Sequence, residues 1–279
     1  MRHQDGFFKG VRESNIYYQV WLPEADVKAV LLVVHGLAEH SGRYMNVVNH
    51  FVPLEYAVYG LDHIGHGKSE GTHVHVERFT DYTVTLKLYF DLIRLEHPDT
   101  PIFLVGHSLG ALIGAAYLLE HQDELAGAVL SGILVKVPDN TPPAIVFVGK
   151  ILSTLLPKAG LLGVNAEGVS RDPAVVQAYI NDPLVYRGKA TARLAAEMLS
   201  TMQRVTAEAA TITLPLLIVQ GSEDKLVDPA GAQLLYDAVR STDKTLKVYE
   251  GFYHEVFNEP EHEQVLGDVE AWLAAHLPR

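Results

Sequence analysis

Gly106-His107-Ser108-Leu109-Gly110 places a serine between two glycines, the G-x-S-x-G spacing that can present a hydroxyl for covalent chemistry. Such a hydroxyl must stand clear of its surroundings on a tight turn between a strand and a helix. The flanking residues meet that requirement: Ile102 to Val105 reads as a strand running in, and Ser108 to Glu120 as a helical pattern running out. The glycines remove side chains that would collide where strand and helix draw together. The helix N-terminus behind Ser108 also favours the negative charge that develops when a carbonyl is attacked.

A serine needs a base, and the base needs an orienting acid. The chain order that accompanies this turn is Ser, then Asp or Glu, then His, each partner on a loop beyond a strand end. Gly221-Ser222-Glu223-Asp224-Lys225-Leu226-Val227-Asp228 follows the strand-like Leu216 to Gln220 and offers three carboxylates for one role. Asp228 precedes Pro229 and reads as a helix N-cap followed by a first-turn proline. Glu223 and Asp224 remain, and the loop position favours Asp224. Glu250-Gly251-Phe252-Tyr253-His254 follows the next strand pattern and supplies an imidazole on a glycine-containing turn. Fourteen histidines compete in principle. His262 is the nearest rival, on the exposed first turn of the last helix. The expected reaction has His254 taking the proton of Ser108 as it attacks an ester carbonyl, while Asp224 fixes the imidazole tautomer. Water then repeats the cycle on the acyl-enzyme. The oxyanion would be held by the backbone N–H groups of Leu37, in His35-Gly36-Leu37, and of Leu109. Gly36 reads equally as a turn glycine.

These loops need a scaffold. Short apolar runs at Ala29 to Val34, Ala57 to Leu61, Ile102 to Val105, Gly127 to Leu130, Leu216 to Gln220 and Thr245 to Tyr249 alternate with longer helical patterns. Those patterns are Phe79 to His97, Ser108 to Glu120, Pro229 to Val239 and Glu261 to Leu277. This rhythm predicts an α/β fold, a mostly parallel sheet covered by helices on both faces. Ile16 to Leu22 alternates and reads as an added antiparallel edge. The rhythm breaks after Ser131 and resumes near Leu214, leaving roughly 80 residues with no obvious strand. The expected organisation is therefore a core over 1–132, a helical cap over 133–210 and the rest of the core over 211–279. Within the cap, Asp172 and Pro173 read as N-cap and first helical residue, and Ala190 to Ala210 is helical by propensity.

The 279 residues, 48% of them apolar, suit one large core with an insertion. A formal charge of -12 opposes binding to phosphate backbones and anionic headgroups, so no nucleic-acid partner is expected. The chain has no cysteine, which excludes disulfides, thiolate zinc sites and a cysteine nucleophile. No signal-like h-region opens the chain and no run of about 20 apolar residues occurs, so a cytoplasmic protein is the default expectation. His63, His66, His73 and His75 sit close in sequence, but no carboxylate spacing matches a hydrolytic zinc motif. A structural glycine-rich loop anchored by Asp62 is the expectation there, with no metal and no cofactor.

With these positions in hand, the chain resembles the monoacylglycerol lipase family of α/β hydrolases nearly end to end. The likeness is most specific at His35-Gly36-Leu37-Ala38-Glu39-His40-Ser41-Gly42-Arg43-Tyr44, at Asp62-His63-Ile64-Gly65-His66-Gly67-Lys68-Ser69-Glu70-Gly71, and from Lys244 to His254. Asp182-Pro183-Leu184 adds to it. The resemblance implies Ser108, Asp224 and His254 as the triad and Leu37 and Leu109 as oxyanion residues. It implies Glu39, Arg43, Tyr44 and His107 around a glycerol moiety, and monoacylglycerol as the ester. Glu39 and Arg43 also read as a surface ion pair at a helix start, which would contribute little. Leu109 and Ala111 depart from the methionine and glycine common in relatives, which touches acyl-chain preference and not the reaction. The apolar run Ala144 to Leu156, with Ile145 and Phe147, suits an acyl channel or a transient contact with a lipid surface, and equally a helix packed on the core. A lysophospholipase or general carboxylesterase would use the same triad. A non-catalytic receptor on the same fold is opposed by the intact set of Ser, Asp and His.

Overall fold

The computed structural model describes residues 1–137 and 151–277. An eight-stranded sheet organises them: β1 Arg2–Lys9, β2 Asn15–Leu22, β3 Ala29–Val34, β4 Tyr56–Leu61, β5 Ile102–His107, β6 Gly127–Ser131, then Leu216–Gly221 and Lys244–Tyr249. The spatial order is β1-β2-β4-β3-β5-β6, followed by Leu216–Gly221 and Lys244–Tyr249 at the far edge. β1 pairs with β2, and β2 with β4, antiparallel; every other pairing is parallel.

The central strands are apolar throughout because both of their faces are covered. In β3, Val30, Leu32 and Val34 enter one core while Ala29, Leu31 and Val33 enter the other. β5 divides the same way, Ile102 and Leu104 against Phe103 and Val105. Each fully buried Val, Leu, Ile or Phe side chain among them stabilises the fold by roughly 1.5–3 kcal/mol relative to exposure. β5 leads through Ser108 into helix Leu109–His121, which is apolar from Leu109 to Leu118 and buried over that whole length. It is covered by the sheet on one side and by helix Ala192–Glu208 on the other. That second helix is amphipathic. Leu194, Met198, Met202 and Val205 form its buried stripe, at the spacing expected of a helix with one covered face. Thr191 caps it by accepting from the Leu194 amide.

Two expectations need correction. Ile16 to Leu22 is antiparallel but is not the edge, because β1 lies outside it in continuous register from Arg2↔Leu22 to Lys9↔Asn15. β1 is mostly exposed along its length, so no apolar alternation marks it. The segment between Ser131 and Leu216 also contains strands, a two-stranded antiparallel pair of Gly160–Gly163 and Lys189–Thr191. They are short and carry glycines. The helix Pro173–Asn181 starts as expected, with Asp172 accepting from the Ala174 amide and Pro173 in the first turn.

The segment is fastened over the strand ends by backbone and side-chain bonds. Tyr186 N–H donates to Ala38 O at 2.9 Å, Glu255 N–H to Val169 O at 2.8 Å, and Arg171 Nε to the fully buried Glu259 at 2.7 Å. His40 and Asp182 are joined at 2.8 Å. Ile145 and Phe147 lie outside the described residues. Among those described, no helix is long and apolar enough to cross a membrane.

Candidate active site

Ser108 adopts φ 55° and ψ −118°, backbone that a side-chain-bearing residue occupies only when its surroundings hold it there. They do so through close packing at both ends of the turn. A Cβ on Gly106 would stand 2.6 Å from Gly110 O, and one on Gly110 would stand 1.9 Å from Val34 O. Only glycine permits strand and helix to approach that closely. The Ser108 amide donates to Ser131 O at 2.9 Å, tying the turn to β6.

His254, which lines the same cleft as Ser108, meets Asp224. His254 Nδ1 lies 2.7 Å from Asp224 Oδ2, and both residues are buried. Asp224 Oδ2 also accepts from Gln220 Nε2 at 2.9 Å, while Oδ1 accepts from the amides of Leu226 at 2.8 Å and Val227 at 3.0 Å. Burial pushes this carboxyl up, but the bonds to His254 and to the two amides outweigh it and hold Asp224 below the ordinary carboxylate range. Asp224 is thus an anion accepting from Nδ1, which leaves His254 Nε2 as the nitrogen able to take a proton. The competing carboxylates are elsewhere. Glu223 is exposed and pairs with Lys225. Asp228 accepts from the Ala230 amide and pairs with Lys136, a helix-start role. His262 bonds Glu259 O at the start of the last helix.

Leu37, Leu109, Ser108, His107 and His254 line one cleft of about 100 Å³. The Gly36–Leu37 wall of the cleft follows directly on His35, one of three neighbouring buried histidines. His35 Nε2 accepts from the His63 amide at 2.9 Å, so its Nδ1 carries the proton and donates to Gly36 O at 2.8 Å. His63 Nε2 bonds His35 O at 3.2 Å. Burial drives His35 well below its usual range, His63 down to about 3 and His66 down to about 4, so all three are neutral supports. Asp62 anchors the neighbouring loop by accepting from Ser41 N and Oγ and from Lys68 N. His73 stacks on Tyr186 and His75 bonds Thr191, so the four histidines do not converge on one point.

The ion pair expected on the surface is buried. Arg43 Nη1 reaches Glu39 Oε2 and Glu255 Oε1, each at 2.7 Å, Nη2 reaches Glu255 Oε2 at 2.8 Å, and the guanidinium lies 4.7 Å from the Tyr179 ring centroid. Glu39 Oε1 also accepts from the Gly36 amide at 2.6 Å and from Tyr44 OH at 2.9 Å. Burial raises Glu255, yet Arg43 overrides it and holds the carboxyl below its ordinary range. Burial first, and then the charge of His254, pushes His107 down to about 3, so it is neutral beside these charges. Glu39, Arg43, Tyr44 and His107 are therefore brought together near Ser108, but Arg43 and Tyr44 face partners within the protein. Sequence reasoning missed Glu255 and Gln220. Their positions, one after His254 and one at the end of the strand before Asp224, are the only signals that local sequence offers.

The family model described as serine aminopeptidase, S33 matches residues 25–261. The monoacylglycerol lipase of Mycolicibacterium smegmatis is 42% identical over 270 residues, covering 97% of this chain and 96% of that protein. The monoglyceride lipase of Mus musculus is 36% identical over 265 residues, covering 94% and 88%. The crystal structure of Paleococcus ferrophilus monoacylglycerol lipase superposes with a TM-score of 0.81 at 30% identity, covering 99% of this chain and 100% of that one. With the elbow, the buried Asp–His pair and the crossover order of the sheet, these likenesses lead to one conclusion: the chain is an ester hydrolase that belongs to the monoacylglycerol lipase family of α/β hydrolases.

Proposed function

We propose that this protein hydrolyses monoacylglycerols to glycerol and a free fatty acid, with Ser108 as nucleophile, His254 as base and Asp224 as its orienting acid. The observation that carries this reading is the 2.7 Å bond between His254 Nδ1 and Asp224 Oδ2, with His254 lining the cleft that also presents Ser108 on its strained turn. Ser108 Oγ attacks the ester carbonyl as Nε2 takes its proton. The amides of Leu37 and Leu109 receive the oxyanion, and one lost donor costs about 2.7–4 kcal/mol of transition-state stabilisation. His254 then returns the proton to the departing glycerol oxygen. Water, deprotonated by His254, attacks the acyl-enzyme and releases the fatty acid and free Ser108.

The two ends of the cleft suit an acyl chain and a polyol. Leu134, Leu162, Val164, Val169, Met198 and Leu226 line one part; Glu39, His107 and Glu255 line the other. The apolar part supports the role of the inserted segment as a cap over one acyl chain. Exposed Ile151, Leu155 and Leu156, which close the run containing Ile145 and Phe147, support a transient contact of that cap with a lipid surface. The test is fatty-acid release from matched mono-, di- and triacylglycerols by the wild type and Ser108→Ala. Preference for the monoacyl substrate, abolished by the substitution, is expected; equal rates in the two proteins would defeat the proposal.

A further inference from the structure

The polar end of the cleft carries a charge pattern that ester hydrolysis alone does not require. A small side pocket, of about 10 Å³, adjoins it and shares Glu39, His107 and Glu255 with the main cleft; Tyr44, Phe257 and Asn258 complete it. Glu39 accepts hydrogen bonds from three groups, Gly36 N–H, Tyr44 OH and Arg43. Glu255 accepts from both Nη atoms of Arg43 and from Asn258 Nδ2. Both are therefore carboxylates, and they share one cation. His107 adds no charge, so the cluster holds one excess negative charge. Among the described residues, no lysine or arginine lines either cavity. Both Nη atoms of Arg43 are engaged and one face of the guanidinium lies against Tyr179, which leaves it poorly placed to receive an anion.

We infer that Glu39 and Glu255 select the leaving group by charge, admitting an uncharged alcohol such as glycerol and rejecting a glycerol that carries a phosphate. The proposal rests on the reading above, in which the alcohol leaves through this end. Its physics is repulsion. A phosphate brought beside a buried carboxylate surplus meets like charge with little solvent between, and no cation compensates the water it has shed. Discrimination built on an unfavourable contact is how sites separate substrates that share a scissile bond. The same acyl chain on the same glycerol would then be cleaved as a monoacylglycerol and spared as a lysophospholipid.

The test uses three substrates with one acyl chain in neutral detergent micelles: the 1-monoacylglycerol, the 1-acylglycerol 3-phosphate, and the uncharged dimethyl phosphotriester of that phosphate. Fatty-acid release gives kcat/KM for each with the wild-type protein and with Glu255→Gln, which keeps the shape of the side chain and removes its charge. The wild type is expected to cleave the triester at least about tenfold faster than the phosphate, though the two are alike in shape. Glu255→Gln is expected to shrink that ratio several-fold. Equal wild-type rates on triester and phosphate would overturn the proposal, and this comparison decides the matter even where the variant does not fold. A ratio unchanged in a folded Glu255→Gln would overturn the assignment to these carboxylates. Failure of the wild type to cleave the monoacylglycerol at all would remove the underlying reading first, and this one with it.

Discussion

Glu255 follows the proposed base His254 in the chain and grips Arg43 through two parallel bonds, 2.7 Å to Nη1 and 2.8 Å to Nη2. Because Arg43 also holds Glu39, and Glu39 holds the Gly36 amide, the loop of His254 and the loop of Gly36 and Leu37 are joined by a chain of charged bonds. The position of one is thereby tied to the position of the other.

Removing the shared cation should break both. In Arg43→Met, two buried carboxylates lose their counter-charge, a change that typically costs about 3–5 kcal/mol. Urea unfolding should register a loss of that order. Arg43→Lys should recover only part of it, since an ammonium cannot reproduce the two-bond grip on Glu255. A midpoint unmoved by Arg43→Met would mean that the cluster does not support the fold.

The elbow should tolerate nothing larger than glycine at position 110. In Gly110→Ala the new Cβ would have to displace Val34 O from 1.9 Å, a backbone atom in a strand buried along its whole length. The variant should lose esterase activity and much of its thermal stability. Near-normal melting and turnover would show that strand and helix can separate freely there.

These contrasts show why parts of the molecule were readable in sequence and parts were not. β3 and β5 are buried on both faces, so β3 is an unbroken apolar run and β5 is one as far as Val105, and the pentapeptide that begins at Gly106 marks its own turn. β1 is mostly exposed and leaves no such trace. The pairing of Asp224 with His254 was legible because each lies on a loop just beyond a strand end. Glu255 was not, because its partner Arg43 is 212 residues away, and a local pattern does not distinguish a buried glutamate from a solvated one. The same limit explains why Glu39 and Arg43, four residues apart, read as a surface pair.

Asp224 should matter through orientation. In Asp224→Asn the acceptor for His254 Nδ1–H is replaced by a group that can favour the wrong tautomer, for which a loss of about 10⁴ in kcat is the expected scale. KM should change far less. A loss in KM with kcat preserved would assign Asp224 to substrate binding instead.

Acid should unfold the protein before its carboxylates titrate. His35, His63, His66 and His107 are buried with pKa values driven down, to about 3, 4 and 3 for the last three, while in the unfolded chain they titrate near 6.5. A depressed folded pKa contributes stability that is present above the unfolded value and is lost as pH falls toward the folded one. Each such histidine therefore removes up to about 1.4 kcal/mol per pH unit below pH ~6.5. The melting temperature should drop steeply between pH 6.5 and pH 5. A flat profile over that interval would contradict the buried neutral histidines.

The central claim is that Ser108 is a nucleophile made reactive by His254, and covalent labelling addresses it most directly. The protein treated with a fluorophosphonate should gain one adduct, located by peptide mass spectrometry on Ser108, with labelling absent in Ser108→Ala and strongly slowed in His254→Ala. Labelling that persists in Ser108→Ala, or that proceeds equally fast without His254, would contradict the account.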